Sequence, residues 1–141
     1  MKKSIIVALC ALLGMTAVRA QQVTLAPVEG VPDAAREVLE QRFTQMVLQN
    51  GLDLGEDGAL LRITVETTSR METPGSMSQV AVVLSVGASV EKVGTVVSSQ
   101  FFSVKGVGAD DDDAIVRAVK QILPKSKAAQ AFMADVKEKI S

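Results

Sequence analysis

The sequence predicts an α+β fold, a two-layer sandwich with a mixed sheet of about four strands in the order β-α-β-β-β-α-α and its helices packed on one face. Three observations carry that prediction. Leu61, Ile63 and Val65 alternate with Arg62, Thr64 and Glu66, the period of a strand with one dry and one wet face. The run Val80 to Val86 is apolar at nearly every position and rich in β-branched residues, as a central strand would be. On either side of this region apolar residues recur every three or four positions. They fall at Ala35, Val38, Leu39, Phe43 and Met46, and again at Ala129, Phe132, Met133, Val136 and Ile140, which is helical spacing.

Taken in order, residues 23–28 read as a short strand that Pro27 places at an edge or an end. A turn at residues 29–32 leads into a helix opened by Pro32 and Asp33, since proline lacks a donor that the first turn does not need and an acid suits its positive end. The helix runs to about Gln49, where Asn50 and Gly51 close it. Residues 52–58 read as an acidic surface loop, punctuated by Gly55 and Gly58. The first strand of a three-stranded meander follows. A long loop over residues 69–78 reverses at Pro74-Gly75, with Met71 and Met77 flanking its tip. The turn at residues 91–94 is short enough for a tight hairpin. In the third strand, residues 95–104, Val96, Phe102 and Val104 share one parity while Val97 and Phe101 share the other. Val97 and Phe101 are therefore expected on the outer face, where they would mark a partner site or a dimer contact. After Gly106-Val107-Gly108, Asp110 is expected to cap a helix carrying Ile115, Ala118, Val119 and Ile122 and stopped by Pro124. Ser126 caps the last one.

The first twenty residues are expected to be a signal peptide: Lys2 and Lys3, an apolar run to Val18, and the small residues Val18 and Ala20 before Gln21. Leu9 argues against acylation at Cys10, so the only cysteine would leave with the leader and disulfides and thiolate metal sites would leave with it. Residues 21–141 would then form a single domain, periplasmic or secreted, with no further stretch apolar enough to span a membrane. Of 15 basic residues, the three removed are Lys2, Lys3 and Arg19; the 12 that remain face 16 acidic ones, a net charge near −4. That balance excludes nucleic acid as a partner, because its phosphates are bound by clustered Lys and Arg.

Catalysis is constrained by what is missing. The chain has no His, Tyr or Trp, so the commonest general base and the ordinary zinc ligands are absent and the protein is expected not to be an enzyme. Ser89-Val90-Glu91-Lys92 matches a serine-x-x-lysine signature, but at a hairpin turn instead of a buried helix start. Glu66 and Glu72 are a pair of carboxylates without an aromatic platform for a sugar. Asp110, Asp111, Asp112 and Asp113 are the weak metal candidates. Four carboxylates could serve Ca²⁺, but consecutive helical residues point apart, and a helix cap with dipole-matched neighbours explains them as well. No cofactor is expected.

The Gln49-Asn50-Gly51 helix end, Arg62-Ile63-Thr64, Val104-Lys105-Gly106-Val107-Gly108, and Ala114 with Ala118 together resemble a group of uncharacterised secreted envelope proteins of Gram-negative bacteria. In element order the chain is also similar to the small α/β domain of the TolB amino terminus, the curli secretion channel and the lipoprotein activators of penicillin-binding proteins. The resemblance implies a non-enzymatic protein-interaction or assembly module whose partners are envelope proteins. The expected contacts are the 69–78 loop through Met71, Thr73 and Met77, and an exposed sheet edge that accepts a strand. The alternative is a small-ligand or Ca²⁺-binding protein built on Asp110–Asp113.

Overall fold

The computed structural model describes residues 21–75 and 77–140. The expected signal peptide over residues 1–20, with Cys10, lies outside the described residues. Five strands and three helices follow: β1 (Gln22–Leu25), α1 (Asp33–Gln49), β2 (Asp53–Leu54), β3 (Ala59–Thr73), β4 (Gln79–Lys92), β5 (Thr95–Gly108), α2 (Asp111–Val119) and α3 (Lys127–Lys139). They form one sheet in the order β2-β1-β3-β4-β5, with β1 parallel to both neighbours and β3-β4-β5 an antiparallel meander. The predicted α+β class holds, but the sheet has five strands. The fifth, β2, lies in the stretch expected to be loop, and two residues are too few to show a period.

The side-chain alternation decides which face is covered. Leu61 and Ile63 of β3, the even-numbered residues Val80 to Val90 of β4, and Phe102 and Val104 of β5 are buried together under the three helices. From α1 the predicted stripe Ala35, Leu39, Phe43 and Met46 packs onto them, and from α3 so do Ala129, Phe132, Met133 and Val136. Phe43 meets Phe102 edge-to-face, with ring centroids 5.9 Å apart at 77°. Gly51 takes φ +83° to end α1, and the Ser126 hydroxyl accepts the Ala129 N–H at 3.2 Å to begin α3.

Glycine decides how α2 is seated. A β-carbon on Gly106 would lie 2.1 Å from the Ala114 carbonyl oxygen and 2.4 Å from the Ala118 nitrogen, and one on Gly108 would lie 2.6 Å from the Ala114 nitrogen. The two inner-face glycines of β5 therefore let the backbone of α2 rest directly on the strand. This corrects the end of the third strand: it continues past Val104 to Gly108, and the glycines read as a junction are part of the sheet. Helix α2 is correspondingly short. It ends at Val119, five residues before Pro124, and Ile122 is buried from the following turn.

Candidate interaction surface

Among the described residues nothing covers the opposite face of the sheet. Arg62, Thr64 and Glu66 of β3 and Ser99, Phe101, Ser103, Lys105 and Val107 of β5 are exposed there, flanking the small side chains Ala81, Ser85 and Ser89 of β4. Phe101 is the largest of them and is 69% exposed. Its ring lies over Gly87, where a β-carbon would come within 2.9 Å of Cε1, so the aromatic covers the backbone that a glycine leaves bare.

Val97 is not beside it. A register shift between Val90 and Glu91 opposite residues 96–98 places an extra residue in β5, and one extra residue inverts the alternation. Val96 is therefore 54% exposed, while Val97 packs against the core. The expected outer-face pair of Val97 and Phe101 reduces to Phe101, with Val96 at the end of the strand.

The 69–78 loop is also shorter than expected. β3 runs through Met71 to Thr73 and β4 starts at Gln79, so the two strands form a long hairpin that reverses around Pro74 and Gly75. Polar spacing disguises the strand here, because after Val65 its residues are exposed on both faces. Met71 and Met77 are 71% and 81% exposed.

Besides the two-residue strand β2, two long stretches of sheet edge are unpaired among the described residues. β1 pairs with β3 only as far as Leu61, which leaves Arg62 to Thr73 open on one side, and β5 has no outer neighbour at all. The two are guarded differently. On β3 the register shifts between Thr67 and Ser69, and Arg70 bridges Glu72 and Asp111, devices that discourage strand addition. Beyond its bulge at 96–98, β5 has no irregularity and Lys105 is its only charged residue.

The aspartates are accounted for by the start of α2. Asp110 accepts the Asp113 N–H at 2.8 Å, Asp111 pairs with Arg70 at 2.9 Å, and Asp113 takes the Ala109 N–H at 3.0 Å and Arg117 at 3.2 Å. These carboxylates face separate partners, and among the described residues no group of three or more acidic, His or Cys side chains could hold a metal ion. Asp110 caps α2, as the sequence predicts.

The Ala109 N–H and the Arg117 guanidinium hold the Asp113 carboxyl below the ordinary carboxylate range; the Ser98 hydroxyl at 2.6 Å, with Lys139 beside it, does the same for Asp135. Both groups bind protons less readily folded than unfolded. The stability they confer is thus complete above the ordinary carboxylate pKa and is lost as pH falls through their lowered values. The unfolding midpoint should drop below about pH 4. Asp113→Asn with Asp135→Asn should lower it at neutral pH and flatten the acid limb; limbs of equal slope would show that neither carboxylate contributes.

Of the depressions on the surface, one of about 530 Å³ lies between Gln22, Asp57 and Leu60 on one side and Glu91, Lys92, Val93 and Ile140 on the other. The others run along β5 beside the turn between α2 and α3. Neither feature could have been read from sequence, because each joins residues far apart in the chain.

No family model matches the sequence and no curated protein matches it. Solved structures with a similar fold include a minor lipoprotein of Acinetobacter baumannii, 15% identical, covering 84% of this chain and 93% of its own at a TM-score of 0.48. A lipoprotein of Neisseria meningitidis is 10% identical over 68% of this chain and 90% of its own, at 0.42. A protein of Xanthomonas campestris is 16% identical over 85% and 83%, at 0.41. The finer likeness to the TolB, curli-channel and penicillin-binding-protein-activator domains is not shown by these structures. No helix among the described residues is long and apolar enough to cross a membrane.

Proposed function

We propose that this protein is a non-enzymatic interaction module of the bacterial cell envelope, exported by its amino-terminal segment and presenting its bare sheet and hairpin tip to other proteins. The observation that carries the reading is the one-sided cover: three helices bury one face of the sheet, while the other face, both long edges and Met71 and Met77 are open. Exposed thioethers on a projecting hairpin adapt their shape to a partner, and unpaired edges offer it backbone hydrogen bonds. The open surface suits this role, since its polar side chains are hydroxyls and charges, among them Arg62 paired with Glu91 at 3.3 Å.

The test is the triple variant Met71→Ser, Thr73→Ser, Met77→Ser. All three side chains are exposed, so its unfolding free energy should stay within about 0.5 kcal/mol of the parent. Capture of partners from envelope extract should be lost. A variant that unfolds early would make these residues structural, and one that captures the same proteins as the parent would contradict a role for the tip.

A further inference from the structure

We propose that the outer edge of β5 is a receptor for an acidic, extended peptide segment, which adds to the sheet as a sixth strand; this rests on the interaction-module reading and names the class of partner. The edge is chemically ready. The β4–β5 pairing turns Phe102, Val104 and Gly106 inward to β4, so the backbone groups of Phe101, Ser103, Lys105 and Val107 point outward. The outward carbonyls of Val97 and Phe101 are met only by side chains, from Lys139 at 3.4 Å and Gln100 at 3.3 Å. Those of Ser103, Lys105 and Val107 meet no strand.

The edge is also the floor of a furrow. Its wall is the end of α2 and the turn before α3, from Arg117 through Gln121 to Leu123. One end is apolar, where Phe101 and Leu123 stand exposed, and the other reaches Val107 and Met77 at the hairpin tip. Between them Lys105 from the strand, and Arg117 and Lys120 from the end of the helix, line one cleft with a single acid, Asp113, which pairs with Arg117 and feels the charge of Lys120. A strip that sets three cations against one acid, on a chain with more acids than bases, is complementary to carboxylates. A second copy of β5 fits it less well, because residues 95–108 contain no acid and would set Lys105 near its own equivalent. Phe101, Leu123 and Met77 at the ends of the furrow and the cations between them suit an extended segment that carries both apolar and acidic side chains.

The experiment uses the mature chain and a short capped fluorescent peptide alternating valine with glutamate, with a valine–lysine peptide as control, read by anisotropy at low and moderate salt. The acidic peptide should bind and the basic one should not. Reversal of both lysines, Lys105→Glu with Lys120→Glu, should weaken the acidic peptide at least tenfold and admit the basic one. Ser103→Pro removes an outward donor that β4 does not use, so the fold should persist while both forms of binding are lost. Absence of binding by the acidic peptide, or binding that Ser103→Pro leaves intact, would overturn strand addition. Dimerisation that Ser103→Pro abolishes would assign the edge to a second copy and overturn the acidic partner. Capture of envelope proteins through the Met71 and Met77 tip that survives either result would leave the interaction-module reading standing without this edge.

Discussion

Replacing Gly106 with alanine is expected to cost at least about 3 kcal/mol, the upper part of the range for overpacking a core. The reason is the identity of the obstacle. A flexible side chain could rotate away, but the atoms within 2.1 and 2.4 Å of the new methyl group are the Ala114 carbonyl and the Ala118 amide, held in the backbone of α2. The helix must lift from β5 or the strand must bend. Lifting exposes Ala114, Ala118 and Val119, all fully buried, so the loss extends beyond one contact. Urea unfolding measures it, with Val107→Ala as control, since Val107 is about half exposed on the opposite face and should change stability little. Equal midpoints for Gly106→Ala and the parent would mean that α2 does not rest on the strand as described.

Phe43→Ala is the second large effect, expected at about 3–5 kcal/mol. Phe43 is fully buried in the middle of α1 and is held edge-to-face by Phe102. Its removal loses the burial of a whole ring and leaves a cavity between helix and sheet that backbone on both sides prevents from closing. Phe101→Ala makes the comparison sharp. The two aromatics Phe101 and Phe102 are adjacent in sequence but on opposite faces, and the exposed one should cost under about 1 kcal/mol. Comparable losses for Phe43→Ala and Phe101→Ala would contradict the assignment of covered and open faces.

How far the sequence led depended on whether a feature had a period long enough to register. The β3 alternation at Leu61, Ile63 and Val65, the α1 and α3 stripes, and the caps at Gly51, Asp110 and Ser126 all rest on local chemistry and were readable. β2 was too short for any period. The far half of β3 was hidden for a different reason: Thr67 to Thr73 form a strand paired on only one side and exposed on both faces, so no apolar alternation marks them. Val97 packs against the core, off the expected outer face, because a bulge changes parity without a sequence signal of its own. Gly106 and Gly108 were visible as glycines, yet their role is defined by α2, which reaches them only in the folded chain. The furrow was unreadable on the same ground, as Lys105 and Lys120 meet only once that helix is seated.

The edge of β5 is expected to be open in the free protein, and amide hydrogen exchange of residues 21–141 measures that directly. The amides of Phe102, Val104 and Gly106, directed to β4, should exchange slowly, and those of Ser103, Lys105 and Val107 orders of magnitude faster. Such an alternation along one strand is the expected result. Equal, strong protection of all six amides would show that something already pairs with this edge in solution, and would contradict it.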